Sequence, residues 1–129
     1  MKLTWSVGFS FEDGGGGAGS FDYVAATKEV SNVNISVGGG GQLFPFYSYF
    51  NLLEITNLGN PQDTFIFQAP GNPSGARQLR ITPEFPLTDA GGSIPINTET
   101  VSGLGSVECF NCTPSRLITI GFLLGQGGP

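Results

Sequence analysis

Histidine is absent from the 129-residue chain. That removes the imidazole on which Ser-His-Asp triads, Cys-His dyads and most zinc cages depend. Cysteine occurs twice, and five Lys and Arg face ten Asp and Glu, for a net charge of −5. Cations this few and scattered leave no footprint for DNA or RNA, whose phosphates call for clustered positive charge. No apolar run approaches the roughly 18 residues of a membrane helix. Charged residues make up only 12% of the chain against 39% hydrophobic, the reverse of a disordered composition. The opening residues Met1-Lys2-Leu3-Thr4-Trp5-Ser6-Val7 alternate and form no apolar block, so no secretory signal is expected and the chain reads as made in the cytoplasm. In that compartment the acceptor triplets at Asn34 and Asn111 are not expected to carry glycans.

What the chain has in abundance is turn-formers, with 21 glycines and nine prolines, and between them period-two alternation. Leu3, Trp5, Val7, Phe9 and Phe11 alternate with Thr4, Ser6, Gly8 and Ser10, which predicts a strand with one buried face. Val33, Ile35 and Val37 repeat the pattern. Further strands are expected over Phe21–Thr27, Phe50–Asn57, Thr64–Ala69, Arg77–Thr82, Ser93–Asn97, Leu104–Phe110 and Leu117–Leu124, all rich in β-branched and aromatic residues. Turn dipeptides punctuate them at Gly59-Asn60-Pro61, Pro70-Gly71-Asn72-Pro73 and Ala90-Gly91-Gly92. The expected fold is all-β, a sandwich or jelly roll of about eight short strands.

Two glycine tracts, 14–19 and 38–41, read as flexible linkers. Neither carries the Gly-Lys-Ser/Thr ending of a phosphate loop, and Asp22 falls one position late for a calcium-binding nonapeptide. They divide the chain into an N-terminal strand or arm with its linker (1–19) and a body (20–129). On this reading Leu3, Trp5, Val7, Phe9 and Phe11 form a face docked on a neighbouring subunit, the alternative being an ordinary first strand followed by a long loop. The run Phe44-Pro45-Phe46-Tyr47-Ser48-Tyr49-Phe50 holds five aromatics in seven residues, too many to face one core if extended. Phe44, Phe46, Tyr47, Tyr49 and Phe50 therefore become interface candidates.

Cys109-Phe110-Asn111-Cys112 is a C-x-x-C followed by Thr113-Pro114, with no readable helix to lower a thiol pKa. Cys109 and Cys112 read as incidental thiols or as a local disulfide, which requires the intervening pair to form a turn, with a bridge to another subunit as the alternative. A metal cage would need two further soft ligands. The acids Glu12, Asp13, Asp22, Glu54, Asp63, Glu84, Asp89, Glu99 and Glu108 are spread evenly and read as solvated surface charge. Arg77, Arg80 and Arg116 are candidates for holding carboxylates of another subunit. No catalytic, cofactor-binding or metal-binding residue is identified.

From Phe50 onward the order of features resembles small virion proteins of tailed bacteriophages. The strand Asn51-Leu52-Leu53-Glu54-Ile55-Thr56-Asn57, the return strand Thr64-Phe65-Ile66-Phe67, Gly92-Ser93-Ile94-Pro95-Ile96 and the closing strand Arg116-Leu117-Ile118-Thr119-Ile120 carry the resemblance, over about half of the chain. It implies a β-sandwich that decorates or cements a capsid and resides in the virion. Its partners would be its own copies, in a trimer, and the major capsid protein or other virion subunits, with no nucleic acid or membrane. Two other classes fit the composition. One is a carbohydrate-binding β-sandwich with the aromatic run as platform, the other an extracellular filament subunit joined by strand exchange.

Overall fold

A computed structural model describes residues 2–39, 47–56, 63–68, 77–88, 90–98, 106–110 and 115–127. Among them there is no helix. Ten strands form one antiparallel sheet: β1 (Lys2–Phe11), β2 (Gly16–Val24), β3 (Glu29–Gly38), β4 (Tyr47–Tyr49), β5 (Asn51–Thr56), β6 (Thr64–Gln68), β7 (Arg77–Ile81), β8 (Gly92–Pro95), β9 (Val107–Phe110) and β10 (Ser115–Gly127). The all-β expectation holds, with more strands than expected and several of them long.

The strand order is β4-β3-β2-β1-β10-β9-β7-β6-β5, with β8 also paired to β10. Only Phe50 separates β4 from β5, yet these two strands stand at opposite ends of that order. The sheet therefore rolls until its ends meet, giving a nearly closed, barrel-like wall. On the far side β10 makes the corresponding fold. Its Ser115–Leu117 stretch pairs with β9, while Phe122–Gly125 pairs with β8. Between the two, the register against β1 slips as Ser10 pairs with Ile120 and Phe11 with Ile118, leaving Thr119 as an extra residue. Such a bulge bends a strand and increases its twist. Beyond β8, a Pro83–Ile96 bridge and the bond from Asn97 N to Thr82 O (2.7 Å) carry the wall across to the end of β7.

Strand β1 lies at the centre of this wall. It pairs along its length with β2 on one side and β10 on the other, and Leu3, Trp5, Val7, Phe9 and Phe11 are all buried in the core. The alternation was read correctly, but its consequence was not. These residues are not an arm docked on another subunit, because their partner surface is provided by their own chain. The linker reading of 14–19 fails for the same reason. Phe11 to Gly15 is a tight turn closed by Phe11 N donating to Gly15 O at 2.8 Å, and Gly16–Gly19 lie in β2, paired with both β1 and β3. Gly38 likewise ends β3, and residues 40 and 41 lie outside the described set.

Glycine in the middle of a strand usually marks close approach by another group. Here aromatic side chains of β1 occupy the space that glycines on its neighbours leave open. Trp5 faces Gly125 across the β1–β10 ladder, where an added Cβ would stand 2.7 Å from the indole ring. Phe9 covers Gly17 on β2 in the same way. The core continues through Phe21, whose ring centroid is 5.6 Å from those of both Phe65 and Phe67, and through the edge-on pair Tyr23–Phe65 at 5.2 Å.

Gly125→Ala is expected to destabilise the fold by about 1–3 kcal/mol, the usual cost of forcing an atom into a packed core. Gly8→Ala, where an added Cβ meets nothing within 4 Å, should shift stability by no more than about 0.5 kcal/mol. Chemical denaturation midpoints of the two variants check the contrast.

Candidate functional site

With its inward positions filled by large apolar groups, β1 turns Thr4, Ser6, Gly8 and Ser10 outward. The outward positions of β2 beside them are Gly16, Ala18 and Ser20, and those of β3 include Asn34 and Ser36. Between the rows of Thr4 and Ser10 this half of the outer face is a shallow floor on which no side chain exceeds asparagine in size, and Lys2, Val24 and Glu29 stand beyond its end. Next to it, the outward positions of β10 break the pattern. Ile120, Phe122 and Leu124 are 57%, 52% and 42% exposed and stand opposite Ser10, Gly8 and Ser6. The face thus carries an apolar ridge along a small-residue floor. Contiguous exposed apolar groups of this kind mark contact surfaces more often than isolated ones do.

A polar trio borders the floor. Asp22 Oδ2 accepts from Asn32 Nδ2 at 2.6 Å, and its Oδ1 accepts from Thr4 Oγ1 at 2.7 Å. Asn32 is the extra residue of a bulge in β3 and has φ of 52°, a left-handed conformation that asparagine tolerates better than most residues. Hydrogen bonds from Asn32 first, then Thr4, hold the Asp22 carboxyl below the ordinary aspartate range, outweighing its slight burial.

Inside the wall lies a second polar cluster. Arg116 is 2% exposed and Glu108 is fully buried, and the two face each other across the β9–β10 ladder. Arg116 Nε donates to Glu108 Oε1 at 2.8 Å, with Nη2 at 2.7 Å from the same oxygen. Nη1 donates to both oxygens of Asp13, at 3.2 and 3.1 Å, and to Gly39 O at 3.1 Å. Tyr49 donates its hydroxyl to Glu108 Oε2 at 2.6 Å, and the guanidinium lies over the Phe11 ring, 3.8 Å from its centroid. Gly15 has no room for a side chain here, since a Cβ would meet Arg116 Nη1 at 2.5 Å.

These placements revise several expectations. Glu108 is not surface charge, and Arg116 holds carboxylates of its own chain. Tyr49 is a core residue whose hydroxyl serves that cluster, whereas Phe50 is exposed. Phe44 and Phe46 lie outside the described residues, as does the Tyr47 side chain, while the Tyr47 backbone pairs with Val37. Cys109 occupies β9 opposite Ser115 and Gln78. Its thiol and the whole of Cys112 lie outside the described residues. Among the described residues no three Cys, Asp or Glu side chains are placed to hold a metal ion. The ridge on β10 was missed, although the run Leu117-Ile118-Thr119-Ile120-Gly121-Phe122-Leu123-Leu124 announces it. Apolar residues at both alternating positions cannot all point into one core.

Two outcomes are expected. Arg116→Met should cost about 3–5 kcal/mol, because it leaves the Glu108 carboxylate buried without its cation, and adding Glu108→Leu should recover most of that loss; denaturation midpoints measure both. Asn32→Gly, which keeps the backbone conformation but removes the amide, should raise the Asp22 pKa towards its ordinary value in a carboxyl-carbon NMR titration. A depressed carboxyl pKa stabilises the fold above its unfolded value, and that contribution disappears as pH falls through the folded one. The variant should therefore lose less stability than the parent on acidification.

No family model matches the chain, and neither the curated proteins nor the solved structures include a detectable relative.

Proposed function

We propose that this protein is a non-catalytic structural subunit that assembles through the outer face of β1, β2 and β10, most concretely a decoration or cement protein on a virus particle. The observation that carries the reading is the ridge of Ile120, Phe122 and Leu124 beside its small-residue floor. Ridge and floor are complementary in shape and lie on the same face, so two copies related by a two-fold axis set each ridge on the other's floor. Isologous contacts of this form are the commonest in homo-oligomers, and sheets packed face to face stand about 10 Å apart with side chains interdigitating, a spacing at which a ridge on one copy fits the low strip on the other. The face favours a pair as the first unit of assembly, in place of the trimer that particle symmetry alone suggests.

The virion assignment draws on the resemblance of residues from Phe50 onward to phage virion proteins. Pairing of β5 with β6 accords with the strand and return strand on which that resemblance rests. On this reading the two halves of the rolled wall correspond to the two layers of a jelly-roll sandwich. Partners are further copies and the major capsid protein, and the chain is made in the host cytoplasm.

Solution mass tests the assembly. The wild type should form a discrete dimer or a multiple of it, and Phe122→Asp should yield a monomer with an unchanged β-type circular dichroism spectrum. A wild type that stays monomeric at high micromolar concentration overturns the reading. The virion role is tested by rebinding of the purified protein to particles stripped of it.

A further inference from the structure

A groove of about 380 Å³ opens where the β2–β3 turn, the start of β6 and residues 83–88 converge. It shares no residue with the ridge. Tyr23, Phe65 and Leu87 line its apolar part, Phe85 stands at its side 60% exposed, and Lys28 and Asp63 bring charge to it. Lys28 Nζ lies 2.9 Å from Asp63 Oδ2. Tyr23 is buried, and that burial, then the neighbouring Asp63, keeps its hydroxyl protonated beyond the ordinary tyrosine range.

Stability does not account for two features of this groove. A phenylalanine as exposed as Phe85 gains little from the fold. Lys28 occupies the last position of the β2–β3 turn with φ of 59°, where its amide donates to Val24 O at 2.7 Å. Glycine would close the same turn without strain. An exposed ion pair returns little for that strain, and strained residues concentrate where a ligand is held.

Volume and lining suit a small molecule, since ligand sites fall at about 300–1,000 Å³ with mostly apolar walls and a few placed polar groups. The charges narrow its chemistry. Asp63 beside Lys28 opposes phosphates and carboxylates, as does the net charge of −5. A wholly apolar ligand would strip water from the ion pair and return no hydrogen bond. A neutral polyhydroxylated ring meets both demands, because it offers an apolar C–H face and a rim of hydroxyls that donate and accept. We propose that the groove binds a neutral saccharide, one pyranose face stacking on Phe85 while adjacent hydroxyls donate to Asp63 and accept from Lys28. This site is separate from the assembly face, and neither reading requires the other.

The test is a titration of the full chain with glucose, galactose, mannose and N-acetylglucosamine at up to tens of millimolar, followed by amide shift mapping and saturation-transfer NMR. At least one sugar should shift amides around Lys28 and Phe85, and Phe85→Ala and Asp63→Asn should each weaken it about tenfold or more. Lys28→Gly, which relieves the turn, should weaken binding while leaving the fold at least as stable. Absence of shifts with every sugar overturns the proposal. So does undiminished binding by Phe85→Ala, or a proline-rich peptide shifting the same amides where the sugars do not. Solution mass is a separate readout, so failure here leaves the assembly reading standing.

Discussion

The closed shape of this protein depends on the buried guanidinium of Arg116. Its contacts reach the β1–β2 turn through Asp13, the end of β3 through Gly39 and β9 through Glu108, and Glu108 carries the connection on to Tyr49 of β4. The strands β4 and β9 are far apart in the strand order, so this hydrogen-bonded chain spans the interior instead of running along the wall. Burying one cation with two carboxylates is a poor way to gain stability, since desolvation consumes most of the attraction. Its effect is on specificity. A strand that slipped by one residue would turn Arg116 or Glu108 to the opposite face and leave its partner charged in an apolar interior. Apolar residues at those positions would tolerate the slip far better.

A second constraint is steric and acts along β1. Five large side chains on its inner face require room, and glycines on β2 and β10 provide it at Gly17, Gly121 and Gly125. Glycine is a weak strand former alone, so Gly16–Gly19 become strand because Phe9 and its neighbours cover them. The outer face shows the reverse relation. With large groups committed inward, β1 and β2 present mostly small residues outward, whereas β10 beside them keeps apolar groups on both sides. The ridge follows from β10 serving two sets of neighbours, with the bulge at Thr119 resetting its alternation midway.

That contrast explains what could be read from the residues alone. Period-two alternation located β1, the second half of β3 and β7, because each has one apolar face and the period reports it directly; β6, buried on both faces from Thr64 to Phe67, was marked by its aromatic and β-branched residues instead. The glycine tract misled because composition records what a segment does alone, while its structure is set by a neighbour distant in space. Glu108 and Arg116 were indistinguishable from surface charges for the same reason. A cross-strand ion pair eight residues apart in sequence becomes visible only once the register of β9 and β10 is known. The groove was equally hidden, since Lys28, Asp63 and Phe85 come from three separate stretches of the chain with no shared spacing.

Closure of the wall also limits how the molecule can join others. Strand exchange requires an edge or an end that can be withdrawn, but β1 is central and its removal would open the core from Leu3 to Phe11. The ends of the strand order meet at Phe50, but among the described residues β5 is paired only with β6, and β3 meets β4 only over residues 35–37, so the edge positions that could template pairing lie along these two strands. β8 is only four residues long, and its Pro95 carries no amide proton. Neighbouring residues 95 and 97 are already engaged with 82 and 84. A filament built by strand donation would have to dismantle this arrangement, whereas contact through the outer face leaves every ladder intact. Side-chain packing across the ridge, unlike withdrawal of β1, would cost the fold no hydrogen bond.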